Sequence, residues 1–104
     1  METKEHICER TISIIGNKWI LRIVNEFNTQ KEPIRFNSLL KTLSPISSKT
    51  LSAKLKDLVK YAILEKKIIS MDPIITTYEL TEKGKDLAGL FNSMTKWGKK
   101  WQKQ

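Results

Sequence analysis

A mostly helical α+β fold is what this 104-residue sequence predicts, and three observations predict it. Apolar residues recur three and four apart over most of the chain, the mark of helices with one buried face. Two of the shorter stretches of this kind flank a break at Ser44-Pro45-Ile46-Ser47. After Ala62 the helical period gives way to two runs rich in β-branched residues, Ile63 to Ser70 and Thr76 to Leu80.

The elements come in this order. Ile12, Ile14 and Ile15 lead into Gly16-Asn17, a helix end and a helix cap side by side. A second helix then carries Trp19, Ile20, Ile23, Val24 and Phe27 at helical spacing. Polar Asn28 to Pro33 reads as a loop, and Ile34 to Phe36 as a very short strand. Asn37 to Leu43 places Leu39, Leu40 and Leu43 on one side of a short helix. Pro45 disfavours a helical residue before it, and Ser47 is a good N-cap for the next helix. Ser48 to about Tyr61 then buries Leu51, Leu55, Leu58 and Val59, with Lys49, Ala53, Lys56 and Lys60 opposite. Two amphipathic helices joined by a four-residue turn form a helix-turn-helix, here about 37–61. The β-branched runs make a two-stranded hairpin, a wing over about 63–80, with Met71 to Ile75 as its turn. Thr81 caps a long final helix, about 82–102, whose apolar stripe is Leu87, Leu90, Phe91, Met94, Trp97 and Trp101. The whole, 1–104, reads as one winged helix-turn-helix domain.

Composition excludes several classes. One cysteine, Cys8, allows no internal disulfide, and with the single His6 it cannot furnish four zinc ligands. No nucleophile–base–orienter set and no Gly-rich phosphate loop is visible, so neither an enzyme, a metal site nor a cofactor is expected. No apolar run nears the roughly 20 residues needed to span a bilayer, and the polar start from Met1 to Arg10 is not a secretory signal. A cytoplasmic protein without a membrane partner is expected.

The net charge of +8 is unevenly placed. Met1 to Phe27 is balanced, whereas Lys41 to Lys67 holds seven lysines against Asp57 and Glu65. Lys96 to Lys103 holds four lysines and no acid. A basic stripe on a folded domain points to a polyanion, most often nucleic acid. Lys49, Thr50 and Ala53, at the start of the second helix of the helix-turn-helix, are the candidates for reaching base edges. Ser48, Lys54 and Lys56 are candidates for holding phosphates, and Arg35 is a further DNA-binding candidate. With only three arginines, the bidentate guanine reader is scarce, and DNA shape is expected to share in specificity.

The local motifs are more specific than the pattern. Ile15-Gly16-Asn17-Lys18-Trp19, Arg35-Phe36-Asn37-Ser38-Leu39, Ile46-Ser47-Ser48-Lys49-Thr50-Leu51-Ser52 and Tyr78-Glu79-Leu80-Thr81-Glu82-Lys83-Gly84 resemble, in order and spacing, motifs of the HxlR-type regulators. The resemblance runs from about Cys8 to Trp97. It implies a bacterial transcription regulator that works as a homodimer; the function expected is sequence-specific binding of double-stranded DNA as a repressor, with an activator as the other sign of regulation, and a two-fold dimer is expected to meet a pseudo-palindromic operator. It also implies dimerisation through the first and last helices, with Ile12, Leu87, Leu90, Met94, Trp97 and Trp101 as the interface candidates. The chain departs from the pattern at three places. Glu9 stands where a proline often follows the cysteine, Ala62 where a glycine usually ends the recognition helix, and Ile75-Thr76 where an arginine is common in the wing.

Cys8, placed just ahead of the first helix, falls at the family's N-terminal cysteine, which in some members senses electrophiles or oxidants. A small buried hydrophobe is the plainer reading, and Lys4, His6 and Arg10 nearby are the residues that would favour a thiolate. The alternative function is a winged-helix protein-interaction module without a specific DNA target. The sequence names no operator and no small-molecule effector.

Overall fold

Polar side chains at the N-termini of four helices give orphan amides of the first turn an acceptor. In the computed structural model, which describes residues 1–102, the order is α1 (Lys4–Ile15), α2 (Lys18–Gln30), β1 (Ile34–Arg35), α3 (Phe36–Thr42), α4 (Ser48–Lys60), β2 (Leu64–Met71), β3 (Ile74–Leu80) and α5 (Glu82–Trp101). Asn17 Oδ1 accepts from the amides of Trp19 and Ile20 at 2.8 and 3.4 Å. Ser47 Oγ accepts from the Thr50 amide at 3.0 Å, and Thr81 Oγ1 from the Gly84 amide at 3.0 Å. These are the expected caps. Among the described residues, α3, which starts after Arg35, is the one helix without a side-chain cap.

Three expectations are corrected. Cys8 does not precede the first helix but lies inside it, because Thr3 caps at the His6 amide and the helix starts at Lys4. Asn28 to Gln30 is not loop: α2 runs to Gln30 and ends where Lys31 turns left-handed at φ 57°. Its polar last turn is solvent-facing helix, held by Gln30 donating to Glu26 and by Thr29 donating to the Asn25 carbonyl. The hairpin turn is shorter than Met71 to Ile75, since Met71 and Ile74 pair across it and only Asp72-Pro73 intervene. The wing also gains a third strand. β1 pairs antiparallel with β3, Ile34 opposite Tyr78 and Arg35 opposite Thr77, so the sheet order is β1-β3-β2.

One apolar cluster holds the elements together. Ile23, Val24 and Phe27 of α2 meet Leu39 of α3, Leu51, Leu55 and Leu58 of α4, Leu64 and Tyr78 of the wing, and Ala88 and Phe91 of α5. Burial of each large aliphatic side chain is worth about 1.5–3 kcal/mol, so α4 is anchored by three residues on one stripe. Its opposite stripe is thereby fixed outward. The junction after α4 depends on Ala62, whose φ of 58° reverses the chain into β2. The Thr81 hydroxyl donates to the Ala62 and Ile63 carbonyls at 2.5 and 3.2 Å, joining that reversal to the start of α5. Gly84 allows the contact: a Cβ there would lie 2.2 Å from the Ile63 carbonyl oxygen.

One helix only borders this cluster, with Ile14 and Ile15 packed half-buried against its edge. α1 buries none of its twelve residues, and Ile7 and Ile12 stand 50% and 62% exposed.

Candidate nucleic-acid interface

The outward stripe of α4 is the complement of its inward one. With Leu51, Leu55 and Leu58 in the core, 100° per residue sends Lys49, Ala53, Lys56 and Lys60 to the far side, and all four are exposed. Ser48, at the first helical position, is also exposed. Ala53 sits at the middle of this row with no side chain beyond Cβ, which lets the helix surface approach a flat or grooved partner closely.

The remaining site candidates are placed differently. Thr50 is half-buried, and its hydroxyl accepts from Ser47 at 2.9 Å, so it belongs to the cap as much as to the surface. Lys54 is half-buried on one flank of α4, in a cleft with Asn17, Asp57 and Tyr61 at the α1–α2 junction. Arg35 is exposed at the N-terminus of α3 and borders the sheet rather than α4. The lysine row and Ser48 therefore share a surface, while Arg35 and Lys54 lie at its margins.

The flank of α4 that faces the wing joins Lys56, a sequence candidate, to Ser52 and Lys66, which the sequence did not single out as site residues. Ser52 and Lys56 from α4 and Lys66 and Thr76 from the hairpin line a groove floored by Phe36 and Tyr78. Strand alternation was the available signal, since it sends Lys66 and Lys67 to opposite faces. Lys67 pairs with Glu79 at 2.6 Å, and this neighbour, with Glu65 farther off, raises the Lys67 pKa above its ordinary value. Burial raises that of Tyr78.

A second surface is apolar. Leu90, Met94, Trp97 and Trp101 succeed one another along α5 at 41%, 54%, 60% and 64% exposure. Leu87, half-buried, packs against the cluster of its own chain instead. Ile12, Ile15 and Leu21 face Leu90, Phe91 and Met94 across a groove at the α1–α2 corner, and Cys8 lies on its rim, exposed. Lys100 stands 5.2 Å over the Trp101 ring, and Lys96 and Lys99 are exposed nearby, where they complement the helix C-terminus. Lys103 lies outside the described residues. Among the described residues no helix is long and apolar enough to cross a membrane.

Residues 14–104 match the family described as HxlR-like helix-turn-helix. The chain is 34% identical over 96 residues to YdzF of Bacillus subtilis, an uncharacterized HTH-type transcriptional regulator, covering 92% of this chain and 87% of that one. It is 33% identical over 89 residues to the HTH-type transcriptional regulator YodB of the same organism, covering 86% and 78%. The reduced form of YodB superposes with a TM-score of 0.82 at 29% identity, over 99% of this chain and 97% of that one. YodB has also been solved diamide-treated and quinone-bound. The redox regulator HypR in its reduced form superposes with a TM-score of 0.79 at 26% identity, over 89% and 90%.

Proposed function

Since this chain belongs to the HxlR-like helix-turn-helix family, and so is a winged-helix transcription regulator rather than an enzyme, we propose that it represses transcription in the cytoplasm by binding a pseudo-palindromic operator as a homodimer. The observation that carries the reading is the exposed row Lys49, Ala53, Lys56, Lys60 on a helix whose other side is locked in the core. Such a helix fits the major groove, with Lys49 nearest the base edges and Ser48, Lys54, Lys56 and Arg35 toward the phosphates.

The homodimer is supported by the apolar surface. A helix of about twelve residues is marginal in water, and α1 buries none of its residues in its own chain. Two tryptophans, each able to bury about 150–250 Å², stand open on α5 beside it. A two-fold pairing of α1 and α5 with their symmetry mates covers both, and sets two α4 helices about one helical turn of DNA, or a small multiple, apart.

Cys8 gives this dimer a chemical input. It is exposed, and it borders the groove where Ile12 meets Leu90 and Met94. An oxidant or quinone that adds bulk there, or links two copies, displaces one reading head against the other and releases the operator. Relatives solved in reduced and modified forms support this reading.

Selection of bound genomic fragments, then gel shifts, tests the proposal. A specific operator should survive competitor DNA, and Lys49→Ala should flatten discrimination between operator variants. Treatment with diamide should release wild type but not Cys8→Ser. Weak binding that competitor abolishes would instead indicate a protein-interaction module.

A further inference from the structure

The groove between α4 and the wing continues the lysine row without a gap, because Lys56 belongs to both. Ser52 and Lys56 are four apart and share one flank of α4. Across from them, Lys66 is directly opposite Tyr78 in the β2–β3 pair, and Thr76 is two residues before Tyr78, so all three share one face of the hairpin. Two ammonium groups and the hydroxyls of Ser52 and Thr76 thus line a channel with an apolar floor of Phe36, Leu55, Val59 and Tyr78, and among the described residues no carboxylate lines it. The other flank of α4 differs, since Asp57 stands with Lys54 in its cleft.

We infer that this groove seats one strand of the DNA backbone, with Lys66, Ser52 and Thr76 as phosphate contacts beside Lys56. The inference rests on the DNA-binding reading above and adds residues that reading does not contain. The lining determines the ligand chemistry. Ammonium groups and hydroxyls suit phosphodiester oxygens, and an apolar floor suits the deoxyribose between two phosphates. Tyr78 is 8% exposed at this floor, and burial raises the pKa of its phenol above the ordinary value, so it brings no negative charge to the groove at neutral pH. Contacts of this kind fix register and carry no sequence information.

The neighbouring lysine provides the control. Lys67 is on the opposite face and already engaged by Glu79, so only one of two adjacent lysines should touch DNA. The experiment measures operator affinity of the full-length protein against salt concentration for wild type, Lys66→Gln, Lys66→Arg and Lys67→Gln. For Lys66→Gln the salt slope should fall by about 0.9 per subunit, roughly 1.8 for a dimer, and affinity should drop by the same factor on every operator variant. Lys66→Arg should keep the wild-type slope, which also shows that the position tolerates substitution. Lys67→Gln should keep it too. A wild-type slope for Lys66→Gln, or equal losses for Lys66→Gln and Lys67→Gln, would overturn the groove while leaving operator binding intact. Failure of the wild type to bind any duplex would overturn the DNA reading and the groove with it.

Discussion

The Thr81 hydroxyl donates to the Ala62 carbonyl at 2.5 Å, so the cap of the last helix holds the residue that ends the candidate recognition helix. The same oxygen accepts from the Gly84 amide, and the Thr81 amide reaches the Ile63 carbonyl at 3.1 Å. The start of α5 is thus tied by hydrogen bonds to the chain reversal that follows α4.

Thr81→Ala removes both roles and should lower stability by about 0.5–2 kcal/mol, as other cap losses do. Thr81→Ser should restore most of it. Urea unfolding of the two variants makes the comparison, and a neutral Thr81→Ala would mean the link contributes nothing.

Ala62 holds φ at 58°, a region that costs a side chain with Cβ roughly 1–2 kcal/mol. Ala62→Gly relieves this at the expense of a freer unfolded chain, so the net should be neutral to about 1 kcal/mol stabilising. A clear loss of stability in the same urea assay would show that the strain is absent.

Two glycines of α5 should respond oppositely to alanine. At Gly84 the added Cβ meets the Ile63 carbonyl oxygen at 2.2 Å and the Leu80 side chain at 2.8 Å, whereas at Gly89 nothing lies within 4 Å. Gly84→Ala should cost on the order of 1–3 kcal/mol, as overpacking does. Gly89→Ala should gain up to about 1 kcal/mol from helix propensity. Thermal melts of both decide it.

The exposed row on α5 should close a dimer. Sedimentation at micromolar concentration should give two chains for the wild type and one for Trp97→Ser combined with Met94→Ser. Those side chains are 60% and 54% exposed, so their loss should leave the fold intact. A monomeric wild type, or a variant that remains dimeric, contradicts the proposed interface.

Alkaline pH should weaken the wing. The folded pKa of Lys67 is raised, chiefly by its hydrogen bond to Glu79, and that of Tyr78 is raised by burial. For both, the folded chain keeps its proton where the unfolded chain has lost it. Their stabilising effect is therefore complete below the unfolded values, about 10 for tyrosine and 10.4 for lysine, and falls as pH rises through them. Melting temperature should drop between about pH 9.5 and 11, and less steeply in Tyr78→Phe with Lys67→Gln. An identical slope in that variant would assign the loss to other groups.

By itself the sequence determined the element order, the caps and most of the core. Asn17, Ser47 and Thr81 act on their own next turns, and the Leu51, Leu55, Leu58 stripe states its helical period openly. The left-handed turn at Ala62 was legible through the resemblance, as the place where the family keeps glycine. Polarity is a poor substitute for geometry at two places. Asn28 to Gln30 and the residues around Cys8 are polar, yet they are helix, because a helix with solvent around it needs no apolar residue to continue.

Tertiary structure alone decided which side chains meet. The groove joins Lys56 to Lys66 and Ser52 to Thr76 across stretches of sequence that no local pattern links. The register of β2 on β3 gives Glu79 to Lys67 and leaves Lys66 facing α4. Leu87 packs on its own core while Leu90, one turn on, does not. Periodicity fixes the direction of a side chain within its own element. What lies in that direction depends on how the elements pack, and packing is set by the summed burial of residues far apart in the chain.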